Sequence, residues 1–107
     1  MRLIFPSGVE MIHKKGMITG KGEAVYLVRG RKGRRLVAQL HLPANQYAAL
    51  QVRSPNGTLL VSEDGTDAGL EWRGVLESTG EYRIIVFGPE TAGPKERARF
   101  LLEVSLK

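Results

Sequence analysis

Arg29, Arg31, Lys32, Arg34 and Arg35 fall in one short stretch, punctuated by Gly30 and Gly33. Cations this dense on a glycine loop can meet the phosphates or carboxylates of a polyanion. No aromatic residue interleaves with them, so a base-stacking platform is missing and nucleic acid is disfavoured as the partner. The plain alternative is a solvated hairpin tip, whose lysine and arginine also discourage edge pairing between copies. Lys95 and Arg97 form a second, smaller basic group before the C-terminal run. Neither Gly20-Lys21-Gly22 nor Gly30-Arg31-Lys32-Gly33 opens a helix, whose N-terminal amides a phosphate cradle requires.

The other chemistry-bearing types are sparse. His13 and His41 stand on separate extended segments, with no HxH or HExxH spacing, and read as surface histidines. Glu63, Asp64 and Asp67 could supply oxygens to calcium, but their spacing departs from an EF-hand loop and suits a solvated turn. No serine lies in GxSxG, and no carboxylate is placed for a raised pKa, so the chain is expected not to be an enzyme. There is no cysteine, which removes disulfides, thiolate metal sites and a thiol nucleophile. Asn56-Gly57-Thr58 fits a glycosylation sequon, which turn chemistry explains equally well.

The elements that must carry these groups are strands. Leu70, Trp72, Gly74 and Leu76 share one face, with Glu71, Arg73 and Glu77 opposite. After Ser78-Thr79-Gly80, Tyr82, Ile84 and Val86 point one way and Glu81 and Arg83 the other. Period 2 in both runs means two half-buried strands. The cleanest alternation runs through Ala98, Phe100, Leu102, Val104 and Leu106. Further strands are expected at 2–5, 9–19, 23–29, 36–42, 48–53 and 58–62. Gly16 reads as a bulge or a close-approach point, and Ser54-Pro55-Asn56-Gly57 as a turn. Only Ala44 to Tyr47 has any helical claim, too short for more than one turn.

Nine candidate strands in 107 residues predict one domain, residues 1–107, built as an all-β, two-layer antiparallel sandwich. The expected inward set is Ile12, Ile18, Tyr26, Val28, Leu36, Ala38, Leu40, Leu50, Val52, Leu70, Trp72, Leu76, Tyr82, Ile84, Val86, Phe100, Leu102, Val104 and Leu106. Trp72 belongs to that core rather than to a sugar platform, and Tyr82 is expected to hydrogen-bond nearby backbone, as corner tyrosines do. The net charge is +5 and lopsided, with nine of sixteen Lys and Arg in residues 1–35. No apolar run approaches the roughly 18 residues that span a bilayer. MRLIFPSG is too short for a signal peptide, so the chain either stays in the cytoplasm or has lost a leader.

The order of the turns carries a resemblance. Lys15-Gly16-Met17-Ile18 is followed by Tyr26, by Lys32-Gly33 before Leu36-Val37-Ala38, and by Pro55-Asn56-Gly57. Then come Trp72-x-Gly-x-Leu76, Thr79-Gly80-Glu81-Tyr82 and the closing alternation. Over about residues 2 to 106 this resembles the bacterial pre-peptidase C-terminal domain, a jelly-roll-like sandwich. It also resembles the periplasmic inhibitors of g-type lysozyme. The resemblance implies a periplasmic or secreted module that binds a protein or polysaccharide, and the residue patterns themselves call for no cofactor. The main implication of the resemblance is an accessory binding module, with lysozyme inhibition the alternative; the charge pattern, apart from the resemblance, leaves polyanion binding by residues 29–35 as the third reading. In the inhibitors, loop side chains enter the lysozyme cleft, and the loop before the last strand is rich in Arg, Lys and Asn. Here that loop is Gly88 to Arg97, with Lys95 but no Asn. The expected binding residues are Arg31, Lys32, Arg34, Arg35, Lys95 and Arg97, with no metal site.

Overall fold

The alternation from Ala98 to Leu106 becomes the longest strand, and the rest of one sheet is laid out beside it. The computed structural model describes residues 1–107. Its strands are β1 (Arg2–Leu3), β2 (Met11–Thr19), β3 (Glu23–Gly30), β4 (Arg35–His41), β5 (Ala49–Arg53), β6 (Leu59–Leu60), β7 (Glu71–Val75), β8 (Gly80–Phe87) and β9 (Arg97–Leu106). They form a five-stranded sheet, β1-β3-β8-β5-β6, and a four-stranded sheet, β2-β9-β4-β7. There is no helix, and so none long and apolar enough to cross a membrane. The architecture is the all-β sandwich that the alternation predicts.

The period-2 faces meet between the sheets. Eighteen buried residues form one continuous cluster, from Leu3 and Ile18 through Trp72 and Tyr82 to Val104. Each fully buried leucine or valine there contributes roughly 1.5–3 kcal/mol of transfer free energy. All of the expected inward residues are buried except Ile12, Leu70 and Leu106. Ile12 and Leu106 are half-buried and pack against the cluster rim.

Leu70 is a correction, because it is 55% exposed. Gly69 exchanges both backbone bonds with Leu50 in the five-stranded sheet, and the Leu70 carbonyl accepts from the Leu40 amide in the other. The backbone itself bridges the two layers there, so the Leu70 side chain has nowhere inward to go. The core also takes Leu3 and Ala98, and Ile85 is buried on the far face of β8 by its neighbours Val25 and Gln51.

Further features follow from chain crossings and local turns. The run 70–76 and the run 80–87 do not pair with each other. β7 and β8 lie in opposite sheets, and the 76–79 turn carries the chain across the sandwich. β6 is shorter than the expected 58–62 because the chain then leaves for the other sheet, where the Glu63 amide donates to the Arg73 carbonyl. β1 runs parallel to β3, the one parallel pair in the fold. It cannot be a hairpin partner, since β2 intervenes in sequence. Residues 44–47 make a turn with Asn45 at φ 64° rather than a helical turn.

Two glycines explain motifs that alternation alone leaves open. A Cβ on Gly74 would lie 2.7 Å from Cη2 of Trp72, so the indole lies along its own strand in the space Gly74 leaves. The Trp72 Nε1–H then donates to the Leu60 carbonyl, 3.1 Å away. A Cβ on Gly16 would lie 2.7 Å from the Tyr26 hydroxyl and 2.8 Å from Phe100 Cε1. Gly16 is therefore a close-approach point, paired in regular register with Phe100 and not bulged.

Candidate functional site

The register assigns each loop to an end. Gly30↔Gly80, Arg35↔Val75 and Arg53↔Arg83 close one end; Thr19↔Arg97, Glu23↔Phe87 and Ala49↔Phe87 close the other. Loops 31–34, 54–58 and 76–79 therefore cluster at one end, and loops 20–22, 42–48 and 88–96 at the opposite end. The molecule extends 40 Å along its longest axis. Arg31, Lys32, Arg34 and Arg35 thus lie at one end and Lys95 and Arg97 at the other, and the six do not make one patch.

The basic hairpin tip is tied down. The Arg34 amide donates to the Arg31 carbonyl, closing a turn in which Gly33 takes φ 89°. A side-chain-bearing residue rarely adopts that conformation. The Gly33 amide donates to Leu76 and the Leu76 amide to Arg34, both at 2.8 Å. The Lys32 amide donates to Thr79 Oγ1 at 3.0 Å. The 76–79 turn that crosses between the sheets is therefore also the strap that fixes the cationic loop.

That strap is anchored by Tyr82, which is 1% exposed. Its hydroxyl donates to the Ser78 carbonyl at 2.6 Å and accepts from the Ser78 amide at 3.3 Å. This is the backbone-bonding tyrosine that its place after Gly80 predicts. Tyr82→Phe should lower stability by about 0.5–1.5 kcal/mol, since it removes the hydroxyl's bonds to the Ser78 backbone. Amide exchange should accelerate at Ser78 and Lys32 before the sheets open; unchanged protection there would show that the hydroxyl does not hold the strap.

The ion pairs decide which cations are available. Arg35 makes a two-pronged contact with Glu63, at 2.5 and 3.0 Å, so its charge is locally met. Arg31, Lys32 and Arg34 make no ion pair, and neither do Lys95 and Arg97. Lys95 and Arg97 share their loop with Glu90 and Glu96, which cancels the local charge. The hairpin tip is the stronger of the two cationic groups. Tyr26 and Trp72 are both core residues, so neither offers the cations a stacking surface.

The acidic loop is committed elsewhere. Both Glu63 oxygens face Arg35, and Asp64 Oδ1 accepts from the Thr66 hydroxyl and amide. Those two bonds hold the Asp64 carboxyl below the ordinary carboxylate range, the hydroxyl first. Glu71 is likewise lowered, chiefly by the Arg73 guanidinium and then by the Gln39 amide. No three His, Asp or Glu side chains are grouped so as to hold a metal ion.

One grouping is absent from the sequence pattern. His13 and His41, twenty-eight positions apart, meet over Glu103: Nε2 of His13 is 2.7 Å from Oε1, and Nε2 of His41 is 3.8 Å from Oε2. Glu103 lies on β9, between β2 and β4, and pairs directly with His13. Only the strand order, which periodicity does not give, could have revealed it.

No family model matches the chain, and no curated protein matches it in sequence. Solved structures do match. The crystal structure of Aeromonas hydrophila PliG, a periplasmic inhibitor of g-type lysozyme, superposes with a TM-score of 0.81 at 21% identity, over 99% of this chain and 94% of that one. The chain has the fold of the periplasmic g-type lysozyme inhibitors. A PliG mutant from Escherichia coli matches at 0.76 with 16% identity, covering 99% of this chain and 96% of its own. Salmonella Typhimurium PliG matches at 0.72 with 15% identity, covering all of this chain and 96% of its own. The PliG fold thus extends over the full run of strands, from β1 to β9. All three PliG structures are of periplasmic inhibitors of g-type lysozyme.

Proposed function

We propose that this chain is a non-catalytic, periplasmic protein that binds and inhibits a g-type lysozyme. The observation that carries the reading is the end-to-end correspondence with Aeromonas hydrophila PliG, 99% of this chain on 94% of that one. It favours inhibition over the accessory pre-peptidase-type module that the turn order also suggested. A protein partner, rather than a polysaccharide or nucleic acid, goes with that choice.

The contact assigned here is the strapped hairpin tip, with Arg31, Lys32 and Arg34 as its anchors and Arg35 as the paired support behind them. Three unmet cations on a loop fixed by the Leu76 and Thr79 bonds are preorganised for the carboxylates of an acidic cleft. Such complementarity chiefly sets on-rate and specificity. Lys95 and Arg97, at the other end, are the second candidate contact.

A turbidity assay with g-type lysozyme tests both levels. Excess protein should slow lysis. The triple change Arg31→Glu, Lys32→Glu and Arg34→Glu should weaken inhibition by at least about tenfold, or about 1.4 kcal/mol, with the thermal melt little changed because the three are exposed. Lys95→Glu with Arg97→Glu should weaken it less. Undiminished lysis at excess protein rejects the function; full inhibition by the triple variant rejects the hairpin as the contact.

A further inference from the structure

Three of the four sheet margins are short or covered. β1 and β6 are two residues each. β7 is five residues long, and Ser62 and Glu63 occupy its edge, bonding both the Arg73 amide and its carbonyl. The fourth margin is β2, nine residues long and paired on one side only, to β9. None of the backbone bonds outside the strand ladders involves residues 11–18. The outward-facing half of their amides and carbonyls is a free template for another strand.

The outer face beside that edge is not uniformly polar. Where β4 ends at His41, the chain turns away and leaves a shallow groove of about 690 Å³ over β9 and β2. Met17, Leu42, Pro43 and Leu101 supply its apolar surface, and Lys15 and Arg99 its cations. Met17 is 47% exposed. Neither Lys15 nor Arg99 makes an ion pair. The gap beside β9 is closed by a side chain, since the Arg99 amide donates to Gln46 Oε1 at 2.6 Å.

Charge selects the occupant. From Met11 to Thr19 the strand carries His13, Lys14 and Lys15 and no acid. A second copy pairing antiparallel near the middle of β2 would bring Lys14 and Lys15 against themselves, which like-charge pairing penalises. An acidic strand meets the opposite situation. Each of its free amides can complete the ladder, and alternate side chains fall on the face that holds Lys15, Met17 and Arg99.

We propose that the free edge of β2 is a strand-addition site for an acidic, extended segment of a partner protein. This surface lies on the side of the sandwich and is separate from the hairpin tip. It stands whether or not the partner is a lysozyme.

The probe is an acetylated, amidated peptide as long as β2, in which glutamate alternates with threonine and valine. It is compared with its lysine counterpart and with an analogue N-methylated at alternate residues on its pairing edge. Amide spectra of the whole chain report the contact. The acidic peptide should shift and protect amides within 11–18, with affinity falling at least threefold as salt rises from about 0.05 to about 0.5 M. The lysine peptide should not bind, and the N-methylated one should lose most of the protection. Lys15→Glu, exposed and outside the core, should weaken the acidic peptide and admit the lysine one. Three results would overturn the proposal: no shifts in 11–18, equal binding by the N-methylated analogue, or concentration-dependent dimers of the chain that occupy β2.

Discussion

Phe100→Asp should leave the chain unfolded at 25 °C, with the strand signal in circular dichroism lost and no cooperative melt. Phe100 is 4% exposed at the middle of β9, the strand that joins β2 to β4. Its ring meets Tyr26 edge-on, centroids 6.3 Å apart and planes at 85°, which locks the two sheets together. Removing a buried aromatic side chain costs about 3–5 kcal/mol, and an unpaired buried carboxylate adds several more. A domain of this size has about 5–15 kcal/mol in all. The sum removes most or all of it. Phe100→Leu, which keeps the site apolar but loses the edge contact, should fold and melt several degrees lower. An aspartate variant that melts like the parent would mean the ring is not where the two sheets meet.

The same strand explains what could be read in advance. Alternation in β9 is readable because Ala98, Phe100, Leu102 and Val104 meet the core while Arg97, Arg99 and Glu103 face outward, with Leu101, apolar on the outer face, and Ser105, buried there, as the departures. Trp72, Tyr82 and the 54–57 turn are legible for the same local reason. Leu70 is not, because its exposure depends on backbone bonds to Leu50 and Leu40, two strands that no short window contains. Nor does period 2 say which strands are neighbours. It could not divide β7 from β8 between the sheets, or bring His13 and His41 to Glu103.

The functional side follows that division. Arg31, Lys32 and Arg34 are visible as a cationic loop in the sequence, but their strap to Leu76 and Thr79 is a tertiary contact. The pairing of Arg35 with Glu63, and the separation of Lys95 and Arg97 to the far end, come from topology alone. The free edge of β2 is a negative fact about neighbours, which no residue type announces.

Gly16→Val sets two opposed effects against each other, and their sizes predict the sign. Valine favours an extended backbone, and replacing glycine restricts the unfolded chain; together these favour folding by about 1–2 kcal/mol. Against that, the first carbon of the side chain would already sit inside contact distance of the Tyr26 hydroxyl and the Phe100 ring. Neither group can swing aside, since each is buried and braced against the other. Overpacking of this kind costs about 1–3 kcal/mol for methylenes that can be partly accommodated, and here two branches must enter as well. The net expectation is a loss of about 2 kcal/mol or more and a melting temperature lower by about 10 °C. Gly16→Ala should lose less. Combining Gly16→Ala with Phe100→Leu should lose less than the two single changes together, because the smaller side chain frees the space that alanine needs. A valine variant more stable than the parent, or strict additivity in the double variant, would place Gly16 away from that ring pair and leave the residue with only an edge-strand role.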